Sequence, residues 1–188
     1  MSNGVYDRNN DLVKKLERFC AQNPNRKTAA GRILYFIRNT LDCFERSHLT
    51  GHITGSAWLL NPNGDKVLMT LHRKLQRWLQ PGGHADGQTD TLAVAIREAE
   101  EESGIHGITP VSEDIFDVDI HLIPARPGEP EHYHYDIRYL LRAPHEHFIV
   151  SDESDALEWW SAADFAARKT ETDEAVLRMA TLIPGIKE

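Results

Sequence analysis

The chain has 188 residues and a formal net charge of −8, from 29 acidic and 21 basic side chains, and 40% of its residues are apolar. This length predicts one domain with at most a small appendage, large enough to bury a core without disulfide or metal cross-links. The acidic balance argues against binding to a nucleic acid duplex, although a phosphate substrate can still bind through Mg²⁺. Two cysteines, no signal-like N-terminus and no long apolar run predict a cytoplasmic protein that does not contact a membrane.

Two helical patterns open the chain, over residues 11–22 and 29–46. Each repeats apolar side chains at helical spacing, and an Asn-Pro-Asn turn separates the two patterns. The second pattern puts Ile33, Ile37, Leu41 and Phe44 on one stripe. We predict an N-terminal helical extension over residues 1–48, which either covers a sheet or forms a homodimer interface.

The pattern changes to strands and helices after residue 50. We predict strands at 53–60, 66–71, 115–123, 132–142 and 148–150, and helices at 90–103 and 164–180. The first two strands are joined by a hairpin turn at 61–65. Strands and helices do not alternate with the regularity of a parallel sheet, so the pattern indicates an α+β fold with a mixed sheet flanked by helices.

Three carboxylates share one face of the predicted helix 90–103. At about 100° per residue, Glu98, Glu101 and Glu102 fall within an arc of roughly 100°. Like charges at this spacing destabilise a helix, so a compensating cation is expected. The Gly82-Gly83 pair upstream would let a backbone carbonyl approach the same cation. The alternative interpretation is a solvated acidic helix face.

The segment from Gly83 to Ile105 resembles the Nudix box, G-x5-E-x7-R-E-U-x-E-E-x-G-U, in which U is aliphatic. Arg97 and Glu98 align with the R-E pair, while Thr89 stands where the family has its first glutamate. The resemblance implies a Nudix fold over residues 49–188, with a mixed sheet between helices (α/β/α). It also implies a pyrophosphohydrolase that cleaves a diphosphate bond in a nucleoside diphosphate linked to another moiety.

The resemblance also implies roles for individual residues. The metal would be Mg²⁺, with Mn²⁺ as a substitute, and its ligands would be Gly83 (through its carbonyl), Glu98, Glu101 and Glu102. The base that activates water would be Glu102 or Glu153, which lies six residues before Trp159. We group Arg97 with the catalytic residues because it would orient Glu98 or Glu101. Asp86 and Asp90 flank Thr89 and are candidates to replace the missing glutamate.

Residues 131–139 alternate as a strand whose polar face carries two histidines, an aspartate and an arginine. With His84, which follows Gly83, this face predicts four substrate contacts: His84, His132, His134 and Arg138. The alternative is a strand surface that faces solvent. The His-x-His pair also has a zinc-like spacing, but the sequence shows no third and fourth ligand, so zinc is not predicted.

Two functions therefore remain open at the level of sequence. The first is a metal-dependent hydrolase of a small nucleoside diphosphate derivative. The second is a non-catalytic Nudix-fold module that binds such a derivative and signals through the N-terminal helices. The three retained glutamates favour the enzyme, because a binding module does not need three crowded carboxylates.

Overall fold

The computed structural model describes residues 10–152 and 154–183. Within these ranges the helices are α1 (Asn10–Gln22), α2 (Lys27–Asn39), α3 (Thr91–Ser103), α4 (Ala162–Ala167) and α5 (Glu174–Ala180). The strands are β1 (Gly51–Leu60), β2 (Val67–His72), β3 (Arg77–Leu79), β4 (Gly82–His84), β5 (Thr109–Pro110), β6 (Asp117–Ile123), β7 (His132–Arg142) and β8 (Ser154–Trp160). No helix in the described ranges combines the length and the apolar character needed to cross a bilayer.

All eight strands belong to one mixed sheet, with β1 and β7 at its centre. These two strands pair in parallel along the whole of β1, from Gly51 opposite Tyr133 to Leu60 opposite Arg142. The other pairings among the described strands are antiparallel: β4 and β2 pair with β1, β5 and β6 pair with β7, and β3 and β8 pair with β2. The predicted mixed sheet is therefore confirmed.

Helices cover both faces of this sheet. Helices α1, α2 and α3 pack on one face, against side chains such as Ile53 and Ile137. Helices α4 and α5 pack on the other face, around Trp58 and Trp160. This α/β/α arrangement is the predicted fold class.

The N-terminal helices cover the sheet, which is one of the two arrangements that the sequence left open. Leu16 and Ile33 are fully buried in the same core as the strands, and the Phe36 ring stacks on Tyr135 at 4.1 Å between ring centroids. Because hairpin and sheet share one apolar core, the domain division at residue 49 stays a prediction.

The second helix is shorter than its apolar spacing predicts. It ends at Asn39, whose side-chain amide donates to the Tyr35 carbonyl, and Leu41 is 80% exposed instead of lying on the buried stripe. Carbonyl groups a few residues further on bind other parts of the chain. The Cys43 carbonyl accepts from the Ile53 N–H, and the Phe44 carbonyl accepts from the Gly87 N–H. These tertiary hydrogen bonds take over from the helical ones.

The C-terminal part also differs from the predicted elements. Instead of one helix over 164–180 there are two, because the Thr172 hydroxyl donates to the Trp78 carbonyl and Asp173 caps a new helix start. Residues 148–150 do not form a strand; the Ile149 N–H donates to the Ser103 carbonyl at the end of α3. β3, β4, β5 and β8 are strands that the sequence pattern did not predict.

Candidate active site

Helix α3 is held in place at both ends and along its buried face. Asp90 caps its start by accepting from the Ala93 N–H at 3.1 Å, and Gly104 ends it with a left-handed backbone at φ 66°. At Gly55 of β1 the helix lies so close that an added Cβ would be 2.8 Å from the Thr91 carbonyl oxygen. Since β4 also pairs with β1 at this point, the Gly82-Gly83 strand runs beside α3.

Glu98 lies directly against the backbone of Gly83. A Cβ built on Gly83 would be 2.2 Å from Glu98 Oε2 and 2.4 Å from its Cδ, so only glycine leaves room for this carboxylate. Arg97 Nη1 is 2.6 Å from Glu98 Oε1, and Arg97 also donates to the His84 carbonyl at 2.9 Å. The arginine thus ties the carboxylate-bearing helix to β4.

Glu102 reaches the same short strand one residue earlier. It is 9% exposed, and its Oε1 accepts from the Gly82 N–H at 2.8 Å. Glu101 is the most exposed of the three, with a side chain 61% exposed and an oxygen 3.5 Å from Arg97 Nη1. Two of the three predicted carboxylates therefore converge on Gly82 and Gly83, and the third stays beside them on the helix.

A sequence profile of the NUDIX domain matches residues 52–180, more than half of the chain. The chain belongs to the Nudix family. A similar solved structure is a NUDIX-family hydrolase from Clostridium perfringens, with 28% identity, a TM-score of 0.56, and coverage of 72% of this chain and 95% of that one. A comparison with curated protein sequences finds no match.

More distant solved structures share the Nudix fold. They include the E. coli dihydroneopterin triphosphate pyrophosphohydrolase, at 18% identity and TM-score 0.52, covering 70% of this chain and 94% of that one. A C. elegans Ap4A hydrolase is 20% identical with TM-score 0.51, covering 69% and 92%. Together with the domain match, the relatives identify the chain as a Nudix hydrolase, which favours the enzyme over the non-catalytic module.

The residues around the substituted box position have contacts of their own. Thr89 is partly buried beside the start of α3. Asp86 forms a bidentate ion pair with Arg46, and this hydrogen bonding holds the pKa of Asp86 below its ordinary value. Asp90 serves as the N-cap of α3. Each flanking carboxylate is thus bound locally, and the idea that one of them replaces the missing glutamate stays a prediction.

Glu153, the second candidate base, lies outside the described residues. The residues that follow it form β8, in which Ser154 pairs opposite His72 of β2. Asp155 is 2.9 Å from Arg73 Nε and accepts from Gln76, and these hydrogen bonds lower its pKa.

The polar face of β7 forms as predicted, but Arg138 is not an open contact there. Arg138 is 2% exposed, and its guanidinium donates to Asp136 at 2.7 Å, to Asp117 at 3.2 Å and to Asp119 at 3.3 Å. Burial lowers the pKa of Arg138, but the three carboxylates outweigh burial and raise it overall. Arg138 is therefore engaged in buried ion pairs within the fold, and this weighs against its predicted role in binding substrate.

The histidines form a cluster at the start of the same face. His52 of β1 lies between three rings, with centroid distances of 4.9 Å to His84, 5.0 Å to His132 and 4.8 Å to His134. His121 of β6 adds a fifth ring at 5.4 Å from His134. We call these five residues the histidine cluster.

His52 was not among the site residues predicted from the sequence. A single histidine at the start of a strand is not part of any sequence motif. Only the parallel pairing of β1 with β7, which sets His52 opposite His134, shows that it belongs to the cluster. Burial lowers the pKa of His52 to about 4 and that of His134 to about 2, and neighbouring histidines add to both shifts. Both rings are therefore neutral near pH 7.

Proposed function

We propose that this Nudix hydrolase uses Mg²⁺, with Mn²⁺ as a substitute, to cleave the diphosphate bond of a nucleoside diphosphate linked to another moiety. The observation that carries the proposal is the convergence of Glu98 and Glu102 on the Gly82-Gly83 strand. Glu98 packs on the Gly83 backbone, and Glu102 accepts from the Gly82 N–H. Two carboxylates that approach the same short strand, on neighbouring residues, favour a site for a cation over a solvated acidic face.

The residues at this place suit a hard divalent cation. The proposed ligands are all oxygen donors: the Gly83 carbonyl, Glu98, Glu101 and Glu102. Glu101, the most exposed, would meet the metal from the solvent side. When bound, the metal neutralises the diphosphate and activates water for attack on phosphorus.

The remaining steps belong to the protein's own side chains. Arg97 positions Glu98, since it contacts that carboxylate and the His84 carbonyl at once. Glu102 is the proposed base that accepts the proton from the attacking water, because it is nearly buried and held by the Gly82 N–H. Glu153 is the alternative base. It remains a proposal from family resemblance.

We propose that the substrate extends from the carboxylates past the short strand β4 toward the histidine cluster, whose rings lie on the opposite face of the sheet. His84 directly follows Gly83 in β4, and His132 and His134 lie close to it on the same face of the sheet. Two of the structural neighbours are named for substrates that contain phosphoanhydride bonds, which supports this class of small molecule.

The test is hydrolysis of a substrate panel with Mg²⁺ or Mn²⁺, comparing nucleotide sugars, dinucleotides and nucleoside triphosphates by coupled phosphate release. On a substrate that is cleaved, Glu102→Gln should lower kcat by about 10²–10⁴, since it removes a base or a ligand while keeping the size of the side chain. The matched control is Glu100→Gln. Glu100 lies on the same helix, but it accepts from the Gly107 and Ile108 amides and should tolerate the change.

A wild-type rate for Glu102→Gln would overturn the assignment of the carboxylates. Equal losses in Glu102→Gln and Glu100→Gln would show that any charge removed from α3 disturbs the enzyme, and would also count against it. Hydrolysis that persists unchanged after removal of divalent metal would contradict the proposed cofactor.

A further inference from the structure

His52 is a buried polar side chain with an unusual lack of partners. It is 2% exposed, and within residues 10–152 and 154–183 neither ring nitrogen has a hydrogen-bond partner at ordinary distance and angle, although a contact with the His48 backbone tends to raise its pKa. Buried polar groups in proteins are nearly always bonded, because leaving one unpaired costs free energy. Its ring stacks on that of His132 and lies tilted against that of His134, so the neighbours of this side chain are further residues of a metal-ligand type.

The tautomer of His132 follows from its backbone contact. Its Nδ1 is 2.9 Å from the Pro130 carbonyl oxygen, an atom that can only accept, so Nδ1 carries the proton. The lone pair of Nε2 then points into the cluster, where His134 Nε2 is 3.2 Å away. A ligand histidine typically donates its other ring N–H to a backbone carbonyl in this way.

The distances between the nitrogens match a shared metal ion. Two nitrogens bound at 2.0–2.1 Å to a tetrahedral ion lie about 3.3–3.4 Å apart, close to the observed pair. One ring nitrogen from each of His52, His132 and His134 lies within 4.8 Å of the others. Ring rotations that shorten these nitrogen–nitrogen distances by at most about 1.5 Å would let all three nitrogens bind one ion.

The cluster faces the other side of the sheet from the box carboxylates. Side chains alternate along a strand, so His52 shares the face of Thr54 and Trp58, whereas Gly55 faces α3. Gly83 is paired with Gly55 and meets Glu98 on the α3 side. A metal ion among the histidines would therefore have its own ligands and would not share those of the carboxylate site.

We propose that His52, His132 and His134 bind one borderline divalent transition-metal ion, with Zn²⁺ as the representative. Neutral imidazole is a common ligand for this class of ions, whereas Mg²⁺ prefers the oxygens of the carboxylate site. Three protein ligands leave a fourth position for water or an anionic oxygen. The imidazole ring of His84 lies next to His52 without being one of the proposed ligands. Glu129 lies at the edge of the site, with its Oε1 3.7 Å from His132 Nε2.

The alternative is a packed group of neutral rings without an ion. In that arrangement the His132–His134 contact is one N–H···N hydrogen bond, and His52 stays unpaired. A single bound ion instead gives all three rings a partner, and this is why the geometry favours the metal site.

The test is titration of untagged, chelator-treated protein with Co²⁺ and Zn²⁺ in excess Mg²⁺. Wild type should bind one equivalent of either ion, and Co²⁺ should give the visible absorption of a tetrahedral, nitrogen-bound ion. The double variant H132A/H134A should lose more than about 100-fold in affinity, since even loss of an outer partner costs about 10–100-fold. Glu102→Gln should still bind one equivalent of Co²⁺ or Zn²⁺, and this result would distinguish the histidine site from the proposed carboxylate site.

The matched control is H145A/H147A. This pair has the same His-x-His spacing but lies exposed outside the strands, so its removal should leave the bound equivalent unchanged. Equal affinity of wild type and H132A/H134A would overturn the site. Because the double variant could misfold, ring ¹⁵N spectra of wild-type protein with and without Zn²⁺ give a second readout. Unchanged Nε2 signals of His132 and His134 would equally overturn it.

Discussion

Replacement of Arg138 by methionine tests whether this arginine supports the fold or binds substrate. Methionine keeps much of the length of the side chain but removes the charge. The substitution leaves Asp117 and Asp136, which are 1% exposed, without the guanidinium that they share. Asp117 keeps an ion pair with Arg178 at 2.6 Å, so the variant loses part of the network and not all of it.

The expected cost is large. Breaking a buried ion pair by removing one partner typically costs about 3–5 kcal/mol, because the remaining charge is stranded away from water. In a chain of this size each kcal/mol lowers Tm by about 2–4 °C, so Arg138→Met should unfold roughly 6–20 °C below wild type. The same change at Arg142, on the same strand but donating to the Pro62 carbonyl near the surface, should cost less than about 1 kcal/mol.

The pH dependence gives a second check on the same contact. Burial raises the pKa of Asp119, but a hydrogen bond from His121 and the charge of Arg138 outweigh burial and hold the pKa below its ordinary value. Because the pKa of Asp119 is lower in the folded than in the unfolded protein, its ionised carboxylate stabilises the fold above about pH 4. This contribution to the free energy of unfolding is lost as the pH falls through the folded-state pKa of Asp119. The stability gap between wild type and Arg138→Met should therefore narrow below about pH 4.

The assay is thermal and denaturant unfolding of wild type, Arg138→Met and Arg142→Met, with KM measured on the same preparations. If Arg138→Met unfolds within about 1 kcal/mol of wild type while its KM rises steeply, Arg138 is a substrate contact and our interpretation of the network is wrong.

Two further predictions address the packing of single positions. Gly83→Ala should lower kcat by about 100-fold, since its Cβ must displace the Glu98 carboxylate, while Gly31→Ala, which meets nothing within 4 Å on exposed helix surface, should leave kcat unchanged. A Gly83→Ala enzyme with wild-type kcat would refute the close approach. Iodoacetamide should label Cys20 in the folded protein and spare Cys43, which is fully buried with its pKa raised by burial to about 12; peptide mass spectrometry showing equal labelling would contradict this.

Local signals made the central elements predictable. Alternation of polar and apolar side chains predicted β7 with the bounds that the structure has. The predicted helix over 90–103 matches α3 to within one residue, and the box spacing put Glu98 and Glu102 on the face that meets β4. These features depend on neighbours within about one helical turn or one strand, which a sequence shows directly.

Features that depend on distant pairing could not be predicted. The contacts of Arg138 arise because β6 runs antiparallel to β7 and sets Asp117 opposite Arg138. Likewise, His52 joins the cluster through the parallel register of β1 and β7, which no local pattern reveals. The predicted helix over residues 29–46 extended too far for the same reason, since Cys43 forms its hydrogen bond with a strand ten residues later.

Mn²⁺ binding measured by electron paramagnetic resonance tests whether the box carboxylates hold a divalent metal. We expect at least one tightly bound Mn²⁺ in wild type and in Glu100→Gln, and a loss of affinity in Glu98→Gln and Glu102→Gln. Circular dichroism should show that the variants remain folded. Identical Mn²⁺ affinity in wild type, Glu98→Gln and Glu102→Gln would contradict a metal site at these carboxylates.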